Sequence, residues 1–316
     1  MKQVVAGVDI GGTNTIFGLA DRSGKVLAEA RILTKEYPDI KKFVVALSEA
    51  INELLKKDHE LIGIGIGAPN AHYYKGTIEL APNLPWKGIV PLAELMRKKN
   101  DVHVVVTNDA NAAAVGEMMF GGAKSMKNFI VLTLGTGLGS GIVINGDVVY
   151  GHTAFAGELG HTTVVPGGRE CGCGRRGCLE TYASASGLVR TVLQLLSEFK
   201  EESSLRDIPP SALTSKIIAE AAAKKDPIAL EAMDYTAEML AFGIINSVVF
   251  SSPEAVFLFG GLTKAGDILF NPVRKYVDEN IMPIFKGTVR ILPSGISESN
   301  AAVIGAAALA WNEFKK

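Results

Sequence analysis

The spacing of apolar positions changes from one stretch of this chain to the next. Val4-Val5-Ala6-Gly7-Val8-Asp9 is a short, nearly continuous apolar run and reads as a buried strand. Two further strands are predicted over Thr15–Ala20 and 25–33, joined by the turn Asp21-Arg22-Ser23-Gly24. Ile40, Phe43, Val44, Leu47, Ile51, Leu54 and Leu55 then recur at helical intervals, which predicts an amphipathic helix over 39–57. Residues 61–67 alternate apolar side chains with glycine, the pattern of a strand that another element approaches closely, and end at the loop signal Ala68-Pro69-Asn70. His103–Thr107, Phe129–Leu134 and Ala255–Phe259 read as core strands, and Asn145-Gly146 as a hairpin turn between 142–144 and 147–150.

Helices are predicted over 183–199, from Asp226-Pro227 (cap, then proline at the first position) to about Phe250, over about 267–281, and over 300–314. The last is built of small residues and suits very close packing. Residues 200–211, charged and proline-containing, read as the most mobile loop. The strand, glycine turn and strand that begin at Asp9 recur about 125 residues later around Gly135, an internal repeat.

Length and composition narrow the function. At 316 residues the chain exceeds a comfortable single core, so two domains are expected. The net charge is −1 with no basic block, which argues against nucleic acid or an anionic membrane as the main partner. The N-terminus enters a strand without a secretory h-region, and no apolar run is long enough for a transmembrane helix, so a cytoplasmic protein is expected. The three cysteines lie within eight residues, which is no disulfide framework.

Those cysteines carry the most specific chemistry. Cys171, Cys173 and Cys178 follow His161 by ten to seventeen positions, and three thiolates with one imidazole make a closed tetrahedral set for structural zinc. The alternative is three reduced thiols on a surface loop. Glu158 and Glu180 flank the loop, so closing the metal site gathers two carboxylates and an oriented imidazole, a pocket suited to a polyhydroxylated ligand such as a sugar.

A strand ending in Asp9-Ile10-Gly11-Gly12-Thr13 presents bare backbone N–H groups to a phosphate, with Asp9 placed for its magnesium; a purely structural hairpin is the other reading. Gly135-Thr136-Gly137 forms the second such turn, and the pair can grip a polyphosphate from both sides. Gly260-Gly261 after a core strand leaves room for a flat ligand such as adenine, or marks a helix entry without one. Neither a Walker lysine loop nor a Gly-x-Gly-x-x-Gly helix opening is present. Asp109 stands where a strand meets a helix, as a catalytic carboxylate or as an N-cap, and Asn111 can do the capping in its place. Asn70 and Asn83, in proline-framed turns, either read sugar hydroxyls or cap those turns.

Taken together the chain resembles the sugar kinases of the ROK family, within the actin-like ATPase and hexokinase superfamily. Gly157-Glu158-Leu159-Gly160-His161 and the run from Cys171 to Glu180 carry the resemblance most specifically, with both phosphate turns and Phe259-Gly260-Gly261 beside them. Leu262 stands where members often have a third glycine. The resemblance implies an α/β fold of two ribonuclease-H-like (actin-like ATPase) domains with the active site in the cleft, expected as 1–112 plus 300–316 and 113–299. It implies Asp109 as catalytic base. Asn83, Asn108, Glu158, His161 and Glu180 would bind the sugar, and His161 would also ligate zinc. Asp9, Gly11, Gly12, Thr13, Gly135, Thr136, Gly137, Gly260 and Gly261 would bind ATP and Mg2+. A homodimer is implied too, while the helix-turn-helix of the family's repressors is not expected ahead of Asp9.

The activity expected is ATP-dependent phosphorylation of the 6-hydroxyl of a hexose, glucose first. N-acetylmannosamine, N-acetylglucosamine, fructose and mannose are the alternatives, and a non-catalytic sugar-responsive regulator is the reading of another class.

Overall fold

The N-terminal apolar run forms strand β1 (Lys2–Ile10), which folds back through β2 (Thr15–Ala20) and β3 (Val26–Ile32) as an antiparallel meander. The computed structural model describes residues 1–297 and 300–314. Helix α1 (Ile40–Leu54) begins where the Asp39 carboxylate accepts the Lys41 N–H at 2.8 Å, and it buries Phe43, Val44, Leu47 and Ile51. Strand β4 (His59–Gly67) returns parallel to β1. A small antiparallel sheet of β5 (Ala71–His72), β6 (Thr77–Glu79) and β7 (Ile89–Val90) follows, then α2 (Leu92–Asn100), β8 (His103–Thr107) parallel to β4, and α3 (Asp109–Met119).

The second half repeats the plan. It comprises β9 (Phe129–Leu134), β10 (Leu138–Ile144), β11 (Asp147–Val148), α4 (Ala185–Glu198), α5 (Ser215–Ala223), α6 (Pro227–Ser251), β12 (Ala255–Phe259), α7 (Asp267–Asn280), β13 (Arg290–Pro293) and α8 (Ala301–Glu313). The two sheets have orders β3-β2-β1-β4-β8 and β11-β10-β9-β12-β13, the same sequence of meander and parallel crossovers, so the repeat seen around Asp9 and Gly135 extends to whole sheets. This is the two-domain actin-like ATPase architecture.

Close packing explains the glycines of the first sheet. Gly18, Gly7 and Gly65 stand in register across β2, β1 and β4. A Cβ at Gly7 would lie 2.1 Å from the Val303 carbonyl oxygen, and one at Gly65 would lie 1.9 Å from that of Ala306. The small-residue helix α8 therefore lies directly on bare backbone. The opposite face of β1 presents Val4, Ala6, Val8 and Ile10 to the core beneath α1 and α2.

Several expectations shift. Strand β10 begins at Leu138, ahead of the segment 142–144 expected for it; Gly141 is a packing residue, because a Cβ there would meet the Ala110 carbonyl oxygen at 2.6 Å. Asp226 caps α6 as expected, accepting the Ala229 N–H at 3.1 Å, but it also accepts from Ser203 Oγ and the Ser204 N–H. Leu205 is buried, and short 3-10 turns form at Ser204–Asp207 and Pro210–Ala212 within and beyond the expected loop.

The chain divides into two compact units, Met1–Lys127 with Gly141–Ala156 and Ser294–Lys316, and Asn128–Ser140 with Gly157–Pro293. A boundary at residue 112 falls inside α3, a continuous helix, so the first unit extends beyond the range expected for it. Residues 298–299 and 315–316, at the ends of the two expected ranges, lie outside the described residues.

Candidate functional site

In the first unit the chemistry collects at the carboxyl ends of parallel strands. Asp9, Gly67 and Thr107 stand in register on β1, β4 and β8, so Asn108 and Asp109 emerge at the edge where Asp9 stands next to the last residue of its strand. The α3 cap is Asn108: its Oδ1 accepts the Asn111 N–H at 2.7 Å. Asn111 therefore does not cap the helix as expected. A capping side chain reaches forward to the N–H two or three residues on, and only position 108 precedes the first turn. Asn111 is instead buried, with Nδ2 at 3.4 Å from Thr107 Oγ1 and its Oδ1 without a partner among the described residues. Asp109 is left free of capping duty apart from accepting the Ala110 N–H at 2.9 Å.

Both carboxylates are held in the neutral direction. Desolvation by the surrounding protein pushes Asp9 up to about 7, and the charge of Asp109 adds to this. Asp109 itself is pushed up by desolvation, although its surface remains open to solvent. A site that disfavours two negative charges is one that gains from a cation and from giving a proton acceptor something to accept. The first glycine turn continues from Asp9: the Gly11 N–H donates to the Asn14 carbonyl at 2.9 Å, Thr13 is exposed, and a Cβ at Gly12 would lie 2.4 Å from the Asn83 carbonyl oxygen.

In the second unit the loop from His161 to Glu180 closes on itself through antiparallel bridges, Thr163 with Cys178 and Glu170 with Arg176. One ligand atom from each of His161, Cys171, Cys173 and Cys178 lies within 4.8 Å of all the others. Cys173 Sγ and Cys178 Sγ are 3.7 Å apart, and Cys171 Sγ is 3.6 Å from His161 Nδ1. Tetrahedral zinc with ordinary bond lengths needs about 3.8 Å between sulfurs and about 3.6 Å between sulfur and nitrogen. The donor set and its spacing fit that ion, with Nδ1 as the histidine ligand. His161 Nε2 then remains, 4.0 Å from Glu158 Oε2. The Arg175 N–H and, after it, the Arg175 guanidinium hold the Cys173 thiol down at about 6, whereas burial pushes Cys171 and Cys178 up.

Glu180 reaches both ways. Its Oε1 accepts from Cys171 Sγ at 3.0 Å and lies 3.6 Å from His161 Nδ1, and its Oε2 faces the Leu138 N–H at 3.5 Å, beside the second glycine turn. In that turn the Gly135 N–H donates to the Gly137 carbonyl at 3.1 Å. The α4 entry holds it from the other side, Ala185 N–H on Gly135 O at 2.9 Å and Ser186 Oγ on Thr136 O at 2.6 Å. Gly260 follows β12 beside this turn with φ +106°, against the Leu134 carbonyl oxygen. Leu262, in place of a third glycine, is buried in the core and so leaves Gly261 open.

Comparison with known proteins decides the lineage. The ROK family matches over residues 5–313. A glucokinase of Halalkalibacterium halodurans is 37% identical over 284 residues, 88% of this chain and 86% of that protein. The chain belongs to the ROK family. The structure of a ROK family glucokinase from Streptomyces griseus in complex with glucose and AMPPNP superposes with a TM-score of 0.82 at 33% identity, covering 98% of this chain and 99% of that one. A xylose repressor of Bacillus subtilis is 30% identical over 312 residues, covering 98% of this chain and 77% of the repressor.

Within this ROK chain the structure gathers Asp9, Gly11, Gly12, Thr13, Asn83, Asn108 and Asp109 in one unit, and Gly135, Thr136, Gly137, Glu158, His161, Glu180, Gly260, Gly261 and the three cysteines in the other. Asn70 has the structural role of its two readings: at φ +52° its Nδ2 donates to the Glu79 and Leu80 carbonyls. Asn83 is exposed on a loop anchored by Leu84 and by Trp86, whose indole N–H donates to Tyr37 O at 2.9 Å.

Two supports escaped the sequence reading. The Arg169 guanidinium donates to Thr181 O, Gly187 O and Thr191 Oγ1 and lies 4.7 Å over the Tyr182 ring, clamping the cysteine loop to α4. Glu117, buried at the end of α3, accepts from the Gly122 and Gly295 N–H groups and from Ser294 Oγ. An arginine inside a glycine-rich loop and a glutamate in a helix give no local sign of such partners.

Proposed function

We propose that this chain is an ATP-dependent glucokinase that transfers the γ-phosphoryl group of ATP to the 6-hydroxyl of glucose. The observation that carries the reading is Asp109: a strand-end carboxylate relieved of helix capping by Asn108 and desolvated toward higher basicity. The glucokinase relatives agree with it.

In this reading Asp109 accepts the hydroxyl proton as the oxygen attacks the phosphorus in line. A positioned base contributes a factor of about 100 to 10,000. Asn83, Asn108, Glu158, His161 and Glu180 hold the sugar hydroxyls. The backbone N–H groups of the two glycine turns, with Thr13 and Thr136, hold the phosphates, and Gly260-Gly261 the adenosine. Asp9 would hold magnesium, which when bound neutralises charge on the phosphates. Positioning and electrostatics then carry most of the rate, because phosphoryl transfer needs little covalent help. His161, Cys171, Cys173 and Cys178 would hold zinc, whose four ligands leave no open position, so its part is to fix the loop that carries His161 and Glu180.

The xylose repressors among the relatives favour one other reading, a sugar sensor acting through a partner. A sensor has no use for a proton acceptor, and that weighs against it. A homodimer belongs to the proposal on family resemblance alone, with sedimentation velocity as its test. The cytoplasm is the proposed location; no helix among the described residues is long and apolar enough to cross a membrane.

The deciding experiment is ADP release measured over glucose, mannose, fructose, N-acetylglucosamine and N-acetylmannosamine. Glucose is expected to give the highest kcat/KM. Glucose binding without turnover on any sugar would favour the sensor instead.

A further inference from the structure

Each glycine turn has two glycines, and the two do not face the same thing. At Gly135 a Cβ would meet nothing within 4 Å, so its open face is free for a ligand. At Gly137 a Cβ would lie 2.6 Å from Glu180 Oε2. The first turn repeats the arrangement. Gly11 has only its own turn, the Asn14 carbonyl oxygen at 3.0 Å, whereas Gly12 has the Asn83 carbonyl oxygen at 2.4 Å. Each turn is contained in one unit together with the residue it touches.

We propose that the second glycine of each turn, beyond its place in the phosphate turn, also serves the sugar side: Gly12 seats the backbone of Asn83, and Gly137 seats the carboxylate of Glu180. This rests on the kinase reading above, in which Asn83 and Glu180 hold the sugar. Gly137 is thus a positioning residue acting through Glu180. Its missing side chain leaves the space in which one carboxylate oxygen faces the Leu138 N–H while the other faces Cys171 and His161. The same segment that supplies Glu180 continues into Ser184, Ala185 and Ser186, whose contacts hold Gly135 and Thr136. Sugar carboxylate, metal loop and phosphate turn are therefore one connected piece, and a change at Gly137 is expected to be felt on the sugar side first.

The nature of the obstacle makes Gly137 the position to test. A Cβ there meets the far end of a flexible side chain, and Gly137 has no positive φ, so Gly137→Ala displaces the carboxylate and leaves the backbone where it is. At Gly12 the obstacle is backbone, and a side chain would shift the whole Asn83 loop.

The experiment is calorimetric titration of the full chain with glucose and, separately, with AMPPNP, for wild type, Gly137→Ala and Gly135→Ala, with zinc content measured on each. Gly137→Ala is expected to weaken glucose binding about tenfold or more, the scale of a displaced charged hydrogen-bonding group, and to weaken AMPPNP binding by less, because the N–H groups of the turn stay in place. Gly135→Ala is expected to do the reverse. A Gly137→Ala protein that binds glucose normally and AMPPNP poorly overturns the proposal.

A cycle with Glu180→Asp, which draws the carboxylate back by one methylene, supplies the second measurement. Glu180→Asp with Gly137→Ala should bind glucose no worse than Glu180→Asp alone, and fully additive losses contradict the seating. Should Gly137→Ala fail to fold, recovery of the fold in the double variant supports the same contact, and its failure there refutes it. Wild-type binding is measured first. If the unaltered chain binds no hexose, the kinase reading itself fails and the proposal falls with it, a result distinct from a misplaced effect in the variants.

Discussion

Asp9 and Asp109 flank Gly67 at one edge of the first sheet: a Cβ on Gly67 would lie 3.7 Å from Asp9 Oδ1 and 3.5 Å from Asp109 Cα. With no side chain between them, the two carboxylates act on each other, and the charge of Asp109 raises the pKa of Asp9. Two carboxylates that each disfavour the other's charge are thereby held side by side at the carboxyl ends of β1 and β8.

Replacing Asp109 with asparagine keeps the shape and removes the proton acceptor. The variant is expected to fold and to bind glucose within a fewfold of wild type, while kcat falls by about 100- to 10,000-fold. Coupled ADP release and calorimetry together check this. Turnover within tenfold of wild type would remove Asp109 from its role.

The shifted carboxylates also govern stability against pH. Asp9 titrates near 3.8 in an unfolded chain and near 7 when folded, so between those values the folded state keeps a proton that the unfolded state has lost. The resulting stabilisation is full below about pH 4, declines through the window and is gone above about 7, with Asp109 acting in the same direction. Denaturant midpoints taken between pH 5 and 8 without magnesium should fall as pH rises. Asp9→Asn should flatten that decline, and an unchanged slope would contradict the shift.

Cys173 is exposed while Cys171 and Cys178 are buried, which separates metal ligation from packing. If the site holds zinc, Cys173→Ser should lower metal content, melting temperature and glucose affinity together, much as a chelator does. If the cysteines only pack, Cys173→Ser should be silent and Cys178→Ser alone harmful. Metal analysis of the purified variants distinguishes the two.

Gly65 tests the seat of the last helix. A side chain there would collide with the Ala306 carbonyl, a backbone atom that cannot rotate away. Gly65→Ala is expected to cost about 3 kcal/mol or more in urea unfolding, beyond what an ordinary overpacked side chain costs. A loss below about 1 kcal/mol would show that α8 can lift at little cost.

Much of this was legible in the order of residues. The strands Thr15–Ala20, His103–Thr107, Phe129–Leu134 and Ala255–Phe259 have the limits their apolar runs suggest, and α6 begins at its Asp226-Pro227 signal. Strand β13 and helix α2 were not legible: the strand is four residues long with one of them buried, and the helix buries three of nine, too few for a period to show.

The chemistry divides along the same line. The amino-acid order alone determined the two glycine turns, the set of one histidine and three cysteines, and a carboxylate where a strand meets a helix, because in each the residue types themselves name the chemistry. Only the tertiary structure decided that Asn108 rather than Asn111 caps α3, that Arg169 clamps the cysteine loop, and that Asn83 and Glu180 rest on Gly12 and Gly137. The helix register chose the cap, and the other contacts join residues from 12 to 71 positions apart, where folding rather than spacing chooses the neighbour.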